Sequence, residues 1–433
     1  MPPAASPDIV SVFTIAAAII VAGFGGQLLF KKTGVSTFIS LILMGVLIGP
    51  VLGLFSRAAI LPSLGVFAEL TLLMVLFYGG MDTRLGSLVK GGGRVALQVL
   101  VYVAGSTMAI ALAANFILRW DLISSLIFAS MVGGETTAAV VIPLTRSLKL
   151  PEVTATFLTV ESAMNSIFSI ILYFTFVGIY HTGTNNWATT FQTIASNFSV
   201  GIVLGALLSV LWIITLNRLQ EGKYTYVLTL GLVFATYDIS SRLGGSGELS
   251  VLVFGIILGN YALLNKMTNL HLSMEPLQQR LGLFQEEISF LMETLFFVFL
   301  GLTFVIARAS IFENLSMGVE ILLILLFFRI LATVISTSGS DLSKDRGSII
   351  LMCAQGLVPA TLAIISVNDG LPHASEFLNI VTYVIILTNL VTSVGAMLRM
   401  RRQKLGFKDF MAGLDPPAAH GKAAMAKSAA QPD

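Results

Sequence analysis

The chain has 433 residues, 55% of them hydrophobic and 11% charged, with a formal net charge of +2. Soluble domains carry roughly 25% charged residues, so most of this chain is expected to face lipid or other apolar helices. The near-neutral balance implies no nucleic acid or other polyanion as partner, and the single cysteine, Cys353, in an apolar run expected to be helical, excludes an intramolecular disulfide and a cysteine metal site.

A helix needs roughly 17–25 mostly apolar residues to span a bilayer, and about 13 such runs follow one another along the chain. They are Ile9–Phe30, Thr37–Phe55, Leu64–Gly80, Val95–Leu118, Leu122–Leu148 and Val153–Tyr180. A linking run, Phe198–Leu216, precedes Tyr224–Ile239, Leu249–Leu264, Ile288–Ile306, Met317–Ile335, Ser348–Val367 and Phe377–Leu398. The first run is too long for a signal-peptide core and has no basic residue before it, so it reads as a retained helix. The loops leave no room for a soluble domain, and the tail after Arg402, with Pro416-Pro417, is expected to fray.

Loops after odd-numbered runs, with the adjoining helix ends, hold most of the basic residues, among them Lys31, Lys32, Arg94, Arg146, Lys149, Lys344 and Arg346. The tail adds Arg399, Arg401 and Arg402, whereas loops after even-numbered runs hold only Arg57, Arg119, Arg242 and Arg308. This bias predicts a multi-pass protein of the cell membrane with its N-terminus outside and its C-terminus in the cytoplasm.

The runs divide into two six-run halves whose fifth members are both interrupted. The first interruption is Gly133-Gly134-Glu135-Thr136-Thr137, with Pro143 after it; the second is Gln355-Gly356-Leu357-Val358-Pro359. One linking run between the halves gives them opposite orientations. Paired broken helices in corresponding places point to a binding site near the membrane midplane, because broken backbone is tolerated there only in protein or beside a cavity. The plain alternative is that Gly and Pro are common in membrane helices.

Ionisable groups at membrane depth are costly and mark ion or proton pathways by default. Glu161 and Asn165, four residues apart, share a helix face. With Ser162 and Ser166 they offer carboxylate, amide and hydroxyl oxygens, the hard ligands suited to small cations. Ser169 is expected to bond back to its own helix. Arg329, in the middle of its run, needs a carboxylate, and Glu161 is the expected partner. That leaves Glu161 either an architectural or a proton-handling role. Glu135 has no evident intramembrane cation partner. It either neutralises a positive half-helix end or holds a proton and a cation in turn, beside Thr136 and Thr137.

The remaining acids are expected to be solvated or capping: Glu69 and Glu293 near helix ends, and Asp238 and Glu248 beside the Gly244-Gly245-Ser246-Gly247 turn. His181, His271, His373 and His420 fall in loops or the tail. No phosphate loop, catalytic triad or intramembrane protease dyad is present, so no enzyme, no cofactor and no metal beyond a transported monovalent cation is expected.

The sequence resembles the monovalent cation/proton antiporter superfamily, in its NhaP-like sodium/proton exchanger branch, over about Ile9 to Leu398. The stretches that carry the resemblance are Met44-Gly45-Val46-Leu47-Ile48-Gly49-Pro50, Phe77-Tyr78-Gly79-Gly80-Met81-Asp82, Leu252-Val253-Phe254-Gly255-Ile256-Ile257-Leu258-Gly259-Asn260 and Phe296-Phe297-Val298-Phe299-Leu300-Gly301. The branch's Glu-Ser-x-x-Asn-Asp motif reads here Glu161-Ser162-Ala163-Met164-Asn165-Ser166, without the ion-binding aspartate. Its Thr-Asp-Pro reads Thr136-Thr137-Ala138, and its Arg-Gly reads Gln355-Gly356. Arg329 matches the arginine that pairs with the motif glutamate. The family core thus holds three acids and two arginines; this one holds Glu135, Glu161 and Arg329, and both sum to one negative charge.

The resemblance implies an all-α polytopic fold of two inverted six-helix repeats with crossing discontinuous helices. It also implies a homodimer and an elevator motion of a core against a dimer-forming scaffold. The expected division is scaffold 1–94, core 95–180, linking helix and scaffold 181–316, core 317–398 and tail 399–433. The expected activity is exchange of Na⁺ or K⁺ for H⁺. Glu135, Thr136, Thr137, Glu161, Ser162, Asn165 and Ser166 would hold the ion or proton, Glu161 with Arg329 would form a structural pair, and Gly133, Gly134, Gln355, Gly356 and Pro359 would form the breaks. Because Ser166 replaces the aspartate, an uncoupled cation pathway and a non-transporting sensor are the alternatives.

Overall fold

The computed structural model describes residues 37–53, 57–83, 85–183, 187–219, 225–261, 294–304 and 308–402, with residues 17, 21, 23–25, 291 and 292. Glu293, His271, His420, the tail after Arg402 and most of the first predicted run lie outside the described residues. The secondary structure of the described residues is helical.

In chain order the helices are α1 (Thr37–Val46, continued by a π turn at Leu47–Val51), α2 (Arg57–Asp82), α3 (Leu85–Val99) and α4 (Gly105–Ile117). Next come α5 (Leu122–Val132), α6 (Ala138–Ser147), α7 (Glu152–Thr182), α8 (Trp187–Leu219), α9 (Thr225–Arg242) and α10 (Gly247–Gly259). The last are α11 (Arg308–Ser336), α12 (Arg346–Leu351), α13 (Leu357–Asn368) and α14 (Ala374–Arg402). A π turn at Leu100–Ala104 joins α3 to α4, so that Gly92–Ile117 is a single apolar span. Among the described residues five helices are long and apolar enough to cross a membrane, and α5, α6, α10 and α13 are shorter apolar pieces.

Hydropathy placed these elements well and their ends less well. α11 begins at Arg308 and α14 runs on to Arg402, because charged residues at a membrane surface continue a helix while ending an apolar run. Residues 94–95, 180–181, 316–317 and 398–399, the expected domain limits, all fall inside helices. Glu69 lies well inside α2, exposed, and accepts from Tyr237 Oη at 2.6 Å. His181 occupies the exposed last turn of α7. Cys353 is buried in the non-helical stretch 352–356: an apolar residue hides a break from a hydropathy scan.

Outside, the molecule presents Leu100, Phe116, Phe312, Leu323 and Phe327 to its surroundings. In water such a surface would aggregate; in hydrocarbon it is the required one. Inside, backbones approach closely where glycines meet. A Cβ on Gly80 would lie 2.5 Å from Leu252 O, one on Gly255 2.3 Å from Phe77 O and one on Gly259 2.2 Å from Met81 O. Small residues permit such contact between α2 and α10, and this packing is the main source of helix association in lipid. Gly45 and Gly301 seat α1 against residues 294–302 in the same way. These are the glycine-bearing stretches on which the family resemblance rests.

Two helices are broken. Asp121 caps the start of α5, its carboxylate accepting from Ser124 N–H at 2.9 Å, and α5 stops at Val132 because Gly134 takes a positive φ of 77°. Chain resumes helix at Ala138. The second break covers 352–356, between α12 and α13. Pro359 is not part of it: it is the third residue of α13. A proline is tolerated in a first helical turn, where its missing N–H would have no acceptor.

Candidate ion-binding site

The two breaks meet directly. Thr137 N–H donates to Ala354 O at 2.8 Å, joining one non-helical stretch to the other. A Cβ on Gly356 would lie 2.7 Å from the Thr137 side chain, so only glycine allows this approach. Gly133 and Gly134 are equally confined: their Cβ atoms would fall 2.1 Å from Thr107 Oγ1 and 2.7 Å from Val103 Cα. Val103 belongs to the π turn, so a widened helix faces the first break.

Ending a helix in the membrane strands its last four carbonyls, and each unpaired one costs several kcal/mol, about as much as a lost protein hydrogen bond in hydrocarbon. For α5 all four are accounted for. Ala129 O accepts from Gly133 N–H at 2.7 Å. Ser130 O and Met131 O share the Ser169 hydroxyl at 2.5 and 3.2 Å. Val132 O accepts from Gln355 Nε2 at 2.5 Å. Ser169 therefore does not bond back to its own helix as expected: the neighbouring stranded carbonyls are the better acceptors, since its own helix carbonyls are already engaged.

The second break is satisfied differently. Arg329 Nε donates to Ile349 O at 3.0 Å and Nη2 to Met352 O at 2.9 Å. Asn389 Nδ2 donates to Gln355 O at 2.7 Å, and Gln355 N–H to Thr388 Oγ1 at 3.2 Å. The guanidinium also grips Glu161 in a bidentate pair, Nη1 to Oε1 and Nη2 to Oε2, the latter at 3.1 Å. Both side chains are fully buried, and the guanidinium lies 5.0 Å above the Tyr102 ring. Gln98 Nε2, shared with Thr333 Oγ1, approaches Glu161 Oε1 at 3.5 Å, while Gln98 Oε1 accepts from Ser336 Oγ at 2.8 Å.

Glu135 stands apart. It is 1% exposed, with Oε1 accepting from Ser166 Oγ at 3.2 Å. Its second oxygen, Oε2, has no hydrogen-bond partner among the described residues. Among the described residues the buried cation of the core, Arg329, is taken by Glu161, and no salt bridge reaches Glu135. Asn165 ties Glu161 to Thr136, the residue after Glu135: its Nδ2 donates to Glu161 Oε1 at 3.2 Å and to Thr136 Oγ1 at 3.0 Å, and its Oδ1 is unpartnered among the described residues. Gln355 Oε1 is unpartnered as well. Several oxygen acceptors thus go unused at the crossing.

The structure brings Glu135, Thr136, Thr137, Glu161, Asn165, Ser166, Gln355 and Gly356 to one place. Ser162, though buried, turns its hydroxyl to Thr159 O of its own helix at 3.1 Å. Sequence reasoning missed Gln98, Thr107, Thr388 and Asn389. Gln98 and Asn389 are buried amides within apolar runs, and the cost argument that singled out Glu161 applies to them.

A family profile described as sodium/hydrogen exchanger, transmembrane, matches residues 15–399. The K⁺/H⁺ antiporter NhaP2 of Shewanella baltica is 28% identical over 359 residues, covering 78% of this chain and 57% of its own length. The K⁺/H⁺ antiporter NhaP of Alkalimonas amylolytica is 23% identical, covering 75% of this chain and 55% of its own. The Na⁺/H⁺ antiporter ApNhaP of Aphanothece halophytica is 26% identical over 54% of this chain and 44% of its own. The chain therefore spans little more than half the length of the first two. Among solved structures, that of the sodium proton antiporter MjNhaP1 from Methanocaldococcus jannaschii at pH 8 superposes with a TM-score of 0.73. The likeness covers 88% of this chain and 99% of that one at 18% identity, and establishes the fold.

Proposed function

The chain belongs to the transmembrane sodium/hydrogen exchanger family, and on that premise we propose that it exchanges a monovalent cation, Na⁺ or K⁺, for H⁺ across its membrane. Glu135 is the carboxylate that carries proton and cation in turn. The observation behind this is its state: fully buried, bonded by the Ser166 hydroxyl and near the Gly356 backbone N–H, with Oε2 unpartnered and no salt bridge to it among the described residues. A bare carboxylate so placed is too costly to persist. It holds a proton or a cation, and whichever leaves must be replaced by the other, which is the coupling an exchanger needs.

Ser166, Thr136 and Asn165 Oδ1 are the neutral oxygens that complete a cation's shell, as suits a hard monovalent ion. Glu161 and Arg329 hold the scaffold of the site together. The wider reading keeps thirteen helices in two inverted repeats, the core and scaffold division given above, an elevator motion and a homodimer. The C-terminus is cytoplasmic under the basic-residue bias.

Purified protein in proteoliposomes with an internal pH dye tests the exchange. An imposed Na⁺ or K⁺ gradient is expected to drive proton movement; planar-bilayer current reversing at the cation's Nernst potential without proton movement identifies an uncoupled pathway instead. The position of the acid has its own test. Ser166 Oγ lies 3.2 Å from Glu135 Oε1, so a carboxylate at 166 reaches the same space. The double variant Glu135→Gln, Ser166→Asp is expected to recover exchange lost in Glu135→Gln, and no recovery would count against a shared ion position.

A further inference from the structure

We propose that the cavity between α6, α12 and α14 binds the phosphate headgroup of an anionic phospholipid. The cavity measures about 110 Å³. Its walls are apolar, from Leu144 of α6 and Leu148 just after it, and from Leu351 of α12 and Met352 beyond it. Ser348, Thr392, Arg399 and Arg402 supply its polar groups, and the Thr392 hydroxyl is already engaged, accepting from Cys353 N–H at 3.3 Å.

Two of those groups are unused donors. Ser348 Oγ, on a side chain 4% exposed, has no hydrogen-bond partner, and neither has Arg399 Nε. Arg399 is held in place from its other side. Its Nη2 donates to Asp345 Oδ1 at 2.8 Å, and Thr154 Oγ1 donates to Asp345 Oδ2 at 2.9 Å. The carboxylate is thus occupied, the guanidinium is fixed, and its free N–H is left for a second acceptor. Among the described residues no acidic side chain lines the cavity. Asp345 balances the charge of Arg399 but leaves its Nε–H free; that donor and the Ser348 hydroxyl, with the Arg402 guanidinium also lining the cavity, suit an anion with several acceptor oxygens, and phosphate matches that geometry.

The apolar walls decide the source. A soluble ion gains nothing from Leu144, Leu148 and Leu351, whereas the glycerol and first methylenes of a lipid bury against them. Arg146, Lys149 and Arg401 belong to the same end of α6 and α14, and a basic cluster of this kind concentrates anionic lipid. The site also touches the machinery. Met352 lines the cavity while its carbonyl accepts from Arg329, so a bound headgroup braces the second break. The proposal stands whichever ion is exchanged.

Delipidated full-length protein is titrated with phosphatidylglycerol, phosphatidylcholine or inorganic phosphate, and thermal unfolding is followed. Phosphatidylglycerol is expected to raise the midpoint saturably, and the other two not. Arg402→Gln is expected to weaken half-saturation about fivefold, the worth of one basic residue at an anionic surface. Gly347→Leu blocks the mouth and abolishes the shift: Gly347 lines the cavity, and no atom lies within 4 Å of a Cβ placed there. Arg242→Gln, in an exposed pair with Asp238, leaves it unchanged. An undiminished shift in both Arg402→Gln and Gly347→Leu overturns the site. A shift reproduced by inorganic phosphate overturns the lipid assignment, and one equal with phosphatidylcholine overturns the need for negative charge.

Discussion

The two broken helices solve one problem with opposite chemistry. The break at 133–137 contains an acid, Glu135, and closes its stranded carbonyls with neutral groups, the Ser169 hydroxyl and the Gln355 amide. The break at 352–356 contains no acid, and its carbonyls at Ile349 and Met352 are closed by a guanidinium whose charge Glu161 balances. One break is therefore electrically balanced by its own side chains. The other holds a buried carboxylate, Glu135, with no salt bridge to it among the described residues. Under the proposed exchange, the balanced break is the fixed wall against which the charge on Glu135 is taken up and released.

The completed break carries the largest predicted effect. Arg329→Leu strands a carboxylate and two carbonyls, and Glu161→Gln strands a guanidinium; each is expected to cost about 3–5 kcal/mol, as loss of one partner of a buried pair does. Thermal unfolding in detergent checks this. Near-parental stability of either variant would show that the second break is not held as described, while the double variant Glu161→Gln, Arg329→Met is expected to recover part of the loss.

Smaller effects separate the breaks further. Gly134→Ala places a Cβ 2.7 Å from Val103 Cα at a φ of 77°, and is expected to cost about 1–3 kcal/mol from strain and to abolish transport by displacing Glu135. Gly347→Ala, with open space at its Cβ, is the contrast and is expected to be neutral. Gln355→Leu leaves Val132 O unpaired, and is expected to cost about 1–3 kcal/mol with the α5 end exchanging its amide hydrogens faster. Protection unchanged there would mean that the first break does not depend on the second.

How much of this was legible in the sequence varies by residue. Gly133 and Gly134 announced the first break because glycine punctuates helix whatever surrounds it. The second was placed a few residues late: Gln355 and Gly356 were visible, but Met352, Cys353 and Ala354 are apolar and read as helix, while Pro359 looked like a breaker and sits in a first turn. The Glu161–Arg329 pair could be anticipated because two lone opposite charges in apolar runs need each other. The use of Ser169 could not, since a serine gives no sign of whether its own helix or a neighbour offers the freer carbonyl. Gln98 and Asn389 were legible by cost alone and were passed over because they carry no charge.

The direct test is cation-driven proton flux by Glu135→Gln in proteoliposomes, with thermal unfolding of the same preparation as control. The neutral amide keeps the shape and can still accept from Ser166, so the protein is expected to stay as stable as the parent while flux falls to that of protein-free vesicles. Exchange at the parental rate by this variant would contradict the assignment of Glu135 as the group that holds proton and cation in turn.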